Sequence, residues 1–220
     1  TPKPSSAASD VYKRQLVIYS RDEQKQHDLS IKYNPQKYKC LRFFIGDVRD
    51  SERLEMAMKN IEIVVHAAAM KHVPTAEYNP KANFDMNTRA TERLANLCKA
   101  KGIKRFIFAS SCSIYDVGIG NDEQDIVLDE EAEVNPKAAY SSSKYQAEKI
   151  LLSLADKNFC PVILRKGTIF GFSPRMRYDL VVNTFLKDAL SKGQITIHYG
   201  GAVSYTHLRA HETSLHLVCR

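Results

Sequence analysis

Long apolar runs are absent from these 220 residues, and no stretch approaches the roughly 20 consecutive apolar residues that a membrane-spanning helix needs. Paired cysteines are absent as well. The five cysteines are widely spaced and form no Cys-x-x-Cys, so no metal site is expected and a reduced, cytoplasmic protein is the simplest reading. No basic run is interleaved with aromatics, which argues against nucleic-acid binding. Internal repeats and low-complexity segments are missing too. What remains is a mixed composition, 44% hydrophobic and 26% charged. A chain of this length buries a good core and makes one domain, with room for the start of a second.

The two ends read differently from the body. Residues 5–15 (Ser-Ser-Ala-Ala-Ser-Asp-Val-Tyr-Lys-Arg-Gln) resemble the translation of a transposase-based sequencing-library adapter, and residues 203–213 resemble its partner read inward. The reverse complement of GAT GTG TAT AAG AGA CAG, shifted by one base, encodes Val-Ser-Tyr-Thr-His, which is the run at 203–207. Segments 1–15 and 203–220 are therefore expected to be adapter-derived tails, and the apolar core of a signal peptide is not found in the first. The tails hold five of the 32 Lys/Arg and two of the 25 Asp/Glu, which lowers the formal charge of the body from +7 to +4. They also hold His207, His211 and His216, so a histidine-rich metal tail is not expected. The small positive balance suits an anionic small ligand.

Between the tails, short β-branched runs alternate with helical stretches. Strands are predicted at 16–19, 41–45, 61–65, 105–108 and 161–164, with a last one at 195–198. Helices are predicted to about Lys32, around Leu54–Met58, from Asn83 to Lys101, from Ala138 to Ala155 and over 179–192. This alternation implies an α/β fold with a doubly wound parallel sheet covered on both faces. Ligands in such sheets bind beyond the carboxyl ends of the strands, and polar clusters follow residues 19, 45, 65, 108 and 164. The acidic stretch 122–133 reads as a solvated loop.

Those clusters supply the candidate residues. Ser20 and Arg21 end the first strand, where a dinucleotide fold contacts the adenosine ribose. A serine and an arginine there suit the 2′-phosphate of NADP, and NAD stays open. Asp47 and Val48 would lie against the adenine. Ala67, Ala68 and Ala69 are small enough to admit a flat ligand, while His66 reads as a packed, hydrogen-bonded side chain. Three Tyr-x-x-x-Lys spacings occur, where chance gives about one. Tyr33/Lys37 encloses Pro35, which does not suit a helix interior. Tyr145/Lys149 is rotated by about 140° from Tyr140. Tyr140 and Lys144 share one helix face, and Ser111 ends the preceding strand. A nearby ammonium is expected to lower the Tyr140 pKa and so favour the phenolate.

These motifs resemble the extended short-chain dehydrogenase/reductase superfamily, the NAD-dependent epimerase/dehydratase group with its Rossmann-like fold. Ile18–Glu23, Phe44–Asp50, His66–Pro74 (His-Ala-Ala-Ala-Met-Lys-His-Val-Pro) and Glu77–Pro80 are similar to the inverting UDP-N-acetylglucosamine 4,6-dehydratases, over residues 17–80. Residues 82–202, with Asn83–Asn87, Phe108–Tyr115, Tyr140/Lys144 and Leu164–Gly171, resemble a nucleotide-sugar epimerase. The resemblance implies a catalytic set of Ser111, Tyr140 and Lys144. It implies cofactor contacts from Ser20, Arg21, Asp47, Val48, Ala67–Ala69, Lys71, Asn87, Tyr140 and Lys144, and substrate contacts from Ser111, Thr168, Arg175 and Asn183. Dehydratases place an acid and then Glu or Lys after the serine; here Cys112 and Ser113 stand there, which points to an epimerase-type oxidoreductase. Dehydration and a non-catalytic or non-functional dinucleotide module are the alternatives.

The resemblance divides the body into an incomplete NAD(P)-binding domain at 16–170 and the start of a substrate-binding region at 171–202. The glycine-rich phosphate turn and its strand, expected before Leu16, are missing from this pattern, as is most of the substrate region. The chain is either a natural divergent member or two related reading frames joined near Pro80–Asn87. A nucleotide-sugar substrate is expected, with no nucleic acid, no membrane and, for the parent, a homo-oligomer.

Overall fold

A computed structural model describes residues 15–115, 128–167, 178 and 180–195. Five strands lie in it: β1 Leu16–Ser20, β2 Leu41–Ile45, β3 Ile63–His66, β4 Arg105–Ser111 and β5 Cys160–Lys166. The helices are α1 Glu23–Lys32, α2 Ser51–Ala57, α3 Val73–Tyr78, α4 Pro80–Phe84, α5 Ala90–Ala100, α6 Ala139–Leu154 and α7 Val181–Lys192. Asp22 and Asp50 each accept a hydrogen bond from a backbone N–H of the following first turn, Lys25 and Arg53. These side-chain caps explain why α1 and α2 start within a few residues of their strands.

All strand pairs are parallel, as the alternation predicts, and the fold is α/β and Rossmann-like. Among the described residues the strands form two ladders, β1–β2 and β3–β4–β5. In the second, Ser110 lies beside Arg165 and Ser111 beside Lys166. Hydrophobic burial concentrates around β4. Phe106, Phe108, Leu94, Cys98, Ala147, Leu151 and Phe159 form one buried cluster, joined by Leu54 and Met58 of the α2 region. Burial pushes the Cys98 thiol up to about 12.

The helix predicted over Asn83–Lys101 is broken into three parts. A wide π-type turn over Asp85–Arg89 separates α4 from α5. Its buried side chains look outward for partners: Thr88 Oγ1 donates to the carbonyl of Ser143 at 2.9 Å and Asn87 Nδ2 to Ser143 Oγ at 3.0 Å. The extra residue in that turn aims them at α6. Helix α3 was not predicted, because six residues are too few to show a helical period. Among the described residues no helix is long and apolar enough to cross a membrane, and no cluster of His, Cys, Asp or Glu could hold a metal. Cys40, Cys98 and Cys112 are free thiols, whereas Cys160 is disulfide-bonded, which differs from the expectation of four unpaired body cysteines. Thr168, Arg175, most of the predicted 195–198 strand and nearly all of both tails lie outside the described residues.

Candidate functional site

The strand ends gather most of the candidate residues. Past β1, Ser20 Oγ accepts from the backbone N–H of Asp22 at 3.0 Å, and Arg21 reaches Asp47 Oδ2 at 3.2 Å with its side chain 63% exposed. Past β2, Asp47 accepts from Arg49 Nε at 2.9 Å and Nη2 at 2.7 Å. The hydrogen bonds from Arg49 hold its carboxyl down at about 2, with the Arg21 charge contributing less. Tyr19 lies over Gly46 and donates to the Asp47 carbonyl at 2.8 Å. A Cβ on Gly46 would stand 2.3 Å from the Tyr19 hydroxyl, so glycine is needed for this approach. Asp47 therefore carries two guanidinium partners at the place where an adenine contact is expected.

Past β3, His66 is buried against Phe106 and Phe108, and its Nε2 lies 2.9 Å from Thr91 Oγ1. The Thr91 hydroxyl donates to the Asn87 carbonyl at 2.6 Å, so the proton between His66 and Thr91 belongs to His66 Nε2. Burial, reinforced by the Lys144 charge, drops its pKa to about 3. His66 is a packed neutral imidazole, as the sequence suggests. The loop that follows carries Ala67–Ala69 and Lys71, and Asn87 fixes it. Asn87 Oδ1 accepts from the Met70 N–H at 2.8 Å, and its amide, with that of Asn83, donates to the Met70 carbonyl at 3.1 Å.

Ser111, Tyr140 and Lys144 come together where β4 meets α6. Ser111 Oγ accepts from the N–H of Ser113 at 3.2 Å and from its hydroxyl at 2.9 Å, which leaves its own O–H to point elsewhere. Ser111 also acts on the Tyr140 phenol, in the direction that lowers its pKa. Lys144 is 2% exposed, donates to the Ala109 carbonyl at 2.9 Å and stands 4.6 Å over the Phe108 ring. Burial, helped by Lys166, brings its amine down to about 8, while Glu148 works the other way.

The Tyr140 pKa is raised, against the expectation of a lowered one. Burial is the main cause and Cys112 adds to it, while the Ser111 hydrogen bond opposes both. The physical reason is the direction of Lys144, whose ammonium turns to the Ala109 carbonyl and not to the phenol. Asn183 is buried on α7.

One contact was illegible in the sequence. The first residue of α6, Ala139, donates its backbone N–H to Glu77 Oε1 at 2.5 Å, across 62 positions. Ala138 offers no side-chain cap, so Glu77 supplies one from α3. No local pattern could have revealed this.

A parallel sheet whose strands alternate with helices, with the candidate residues beyond the strand ends, defines a Rossmann-like α/β class of protein. The chain belongs to the NAD dependent epimerase/dehydratase family, whose sequence profile matches residues 9–211. It is 33% identical over 184 residues to the inverting UDP-N-acetylglucosamine 4,6-dehydratase of Campylobacter jejuni subsp. jejuni serotype O:2, covering 81% of this chain and 46% of that protein. It is also 33% identical over 157 residues to a UDP-glucose 4-epimerase of Rickettsia bellii, covering 71% of this chain and 38% of that protein. The chain thus spans under half the length of these two relatives. Among solved structures, the fold matches UDP-glucuronic acid 4-epimerase from Bacillus cereus in complex with UDP-glucuronic acid and NAD. That match has a TM-score of 0.61 at 23% identity over 84% of this chain and 57% of that one.

Proposed function

We propose that the chain carries the proton-transfer site of an NAD(P)-dependent nucleotide-sugar oxidoreductase of the epimerase type. The observation that carries this reading is the placement of Ser111 at the end of β4 where it acts on the Tyr140 phenol, with Lys144 one turn further along α6 and bonded to the Ala109 carbonyl of the same strand. Tyr140 would take the proton from a sugar hydroxyl, and Ser111 would hold that hydroxyl oxygen in place. A bound nicotinamide dinucleotide supplies the hydride acceptor for the same carbon.

The residues present suit such a group. Ser20 and Arg21 would hold its ribose, with the exposed guanidinium of Arg21 able to meet a 2′-phosphate, and Asp47 and Val48 would flank the adenine. Ala67–Ala69 leave room for a flat ring, Lys71 lies in the same loop, and Asn87 fixes that loop. Tyr140 and Lys144 would meet the nicotinamide ribose. For Lys144 this requires the amine to leave the Ala109 carbonyl, a move that would also bring its charge to the phenol.

A second reading, 4,6-dehydration, is favoured by the identity with the Campylobacter enzyme. Against it, elimination needs an acid and a base beside the serine, and Cys112 and Ser113 occupy those positions. The Ser113 hydroxyl is already bonded to Ser111.

Incubation of the chain with NAD+ and UDP-glucose or UDP-N-acetylglucosamine, followed by proton NMR, separates the readings. Inversion at one ring carbon is the expected product, and a new methyl signal would identify dehydration. Tyr140→Phe should remove either product. No product in the parent chain, together with no rise in melting temperature on adding the cofactor, would overturn the proposal in favour of a non-catalytic or inactive module.

A further inference from the structure

A buried charged network lies two helical turns beyond Tyr140, and the proposed chemistry does not use it. Glu148 is 1% exposed. Its Oε2 accepts from Arg165 Nε at 3.1 Å and Nη2 at 2.9 Å, a bidentate pair, and its Oε1 accepts from the hydroxyl of Ser110. Ser110 and Arg165 are register partners on β4 and β5, so the two strands present their donors side by side to one carboxylate. Arg165 Nη1 continues outward to the Tyr115 hydroxyl at 2.8 Å and the Glu130 carbonyl at 3.1 Å, and Tyr115 donates to the Asp129 carbonyl at 2.8 Å. One side chain of α6 is therefore tied to two strands and, through Arg165, to the 128–130 loop.

The placement matters because of what flanks it. Tyr140, Lys144 and Glu148 follow one another at four-residue intervals along one face of α6. Ser110 immediately precedes Ser111, which acts on the Tyr140 phenol, and Lys144 of the same helix face is bonded to the Ala109 carbonyl just before it. A slide or roll of α6 on the sheet would part Tyr140 from Ser111, and the Glu148 contacts oppose such a motion. A buried ion pair adds little net stability compared with apolar packing, but it does demand one geometry.

We infer that Glu148 is a positioning residue for Tyr140: held by Ser110 and Arg165, it fixes where the Tyr140 face of α6 sits over the end of β4. This rests on reading Tyr140 as the proton-transfer group, but its test does not need turnover. Tyrosinate absorbance is titrated in the full chain, in Glu148→Gln and in Glu148→Leu, each with and without Tyr140→Phe, so that the difference isolates Tyr140. Lys144, Lys166, Cys112 and Arg165, the other charged or titratable groups around the site, are unchanged throughout.

Parting Tyr140 from Ser111, whose influence lowers its pKa, should move the Tyr140 titration to higher pH in Glu148→Leu, with a smaller move in Glu148→Gln, which keeps an acceptor for Ser110. Removing a nearby negative charge without moving α6 would shift the titration to lower pH. An unchanged or lowered titration in both variants, whatever happens to melting temperature, would overturn the inference. If Glu148→Leu does not fold, Glu148→Gln decides alone by the sign of its shift. Loss of product in Tyr140→Phe tests the proposed function separately, so the two can fail independently.

Discussion

Burying an ammonium costs free energy unless an opposite charge lies against it, and Lys144 is buried with a carbonyl and an aromatic face as its contacts. Its folded pKa, about 8, lies below the ordinary 10.5. Between those values the unfolded chain binds more protons than the folded one, so stability should rise with pH across that window. Lys144→Met removes the cost. Urea midpoints should show the variant as stable as the parent or more so at pH 7.5, and without the parent's gain by pH 9.5, while the proposed turnover is lost. A marked loss of stability at pH 7.5 would mean that the buried amine is a structural strut.

His66 is a contrasting case in the same cluster. It is kept neutral by burial and has its Nε2 proton committed to Thr91, so its packed role was legible from its place among small and apolar residues. The raised Tyr140 pKa was not legible. Spacing along a helix reports which side chains share a face, but not which way a long, flexible lysine turns. The partners of Asp47 were out of reach for a similar reason, since Arg21 approaches it from 26 positions away.

At the level of elements, strand ends and helix starts were readable wherever a local rule governs them. The runs of Val, Ile and Phe located all five strands to within a few residues, and β4 proved three residues longer, so that it includes Ser111. The order of those strands selected Tyr140/Lys144 from three equal matches. Tertiary demand is what local rules do not contain, and it shaped both the Asp85–Arg89 turn and the start of α6. Glu77 caps that start, and Tyr140 is the second residue of the helix. Glu77→Ala should cost about 1 kcal/mol, the usual size of an N-cap loss. It should also accelerate amide hydrogen exchange at residues 139–142 well beyond its effect on the rest of α6. Uniform exchange along the helix would show that Glu77 does not act as the cap.

For the whole molecule, the two ladders differ in how much apolar surface they bury. β4 places Phe106 and Phe108 at the centre of the core, while β1 and β2 contain no fully buried residue. Leu16 is 59% exposed and Ile45 43%, an unusual state for strands of a doubly wound sheet, which are normally covered on both faces. The β1–β2 pair still touches the main core through Tyr19, and its position relative to Asp47 depends on that contact. Contacts also run across residue 80, the place where two families of motif meet: Glu77 with Ala139, and Asn83 and Asn87 with Met70. The segments on either side are packed together around the candidate site.

Local opening follows buried apolar contact, so the two ladders should open at different free energies. Native-state hydrogen exchange in low urea should show the amides of Val17–Ser20 and Arg42–Ile45 exchanging through a low-energy opening, while Phe106–Ala109 and the second half of α6 exchange only with global unfolding. Phe106→Ala should then destabilise the chain by about 3–5 kcal/mol, the range for a large aromatic lost from a core, and Phe43→Ala by much less. One exchange isotherm shared by both ladders would mean that they unfold as a unit. Ser20, Arg21 and Asp47, proposed for the cofactor side, would then be held as firmly as Ser111 and Tyr140.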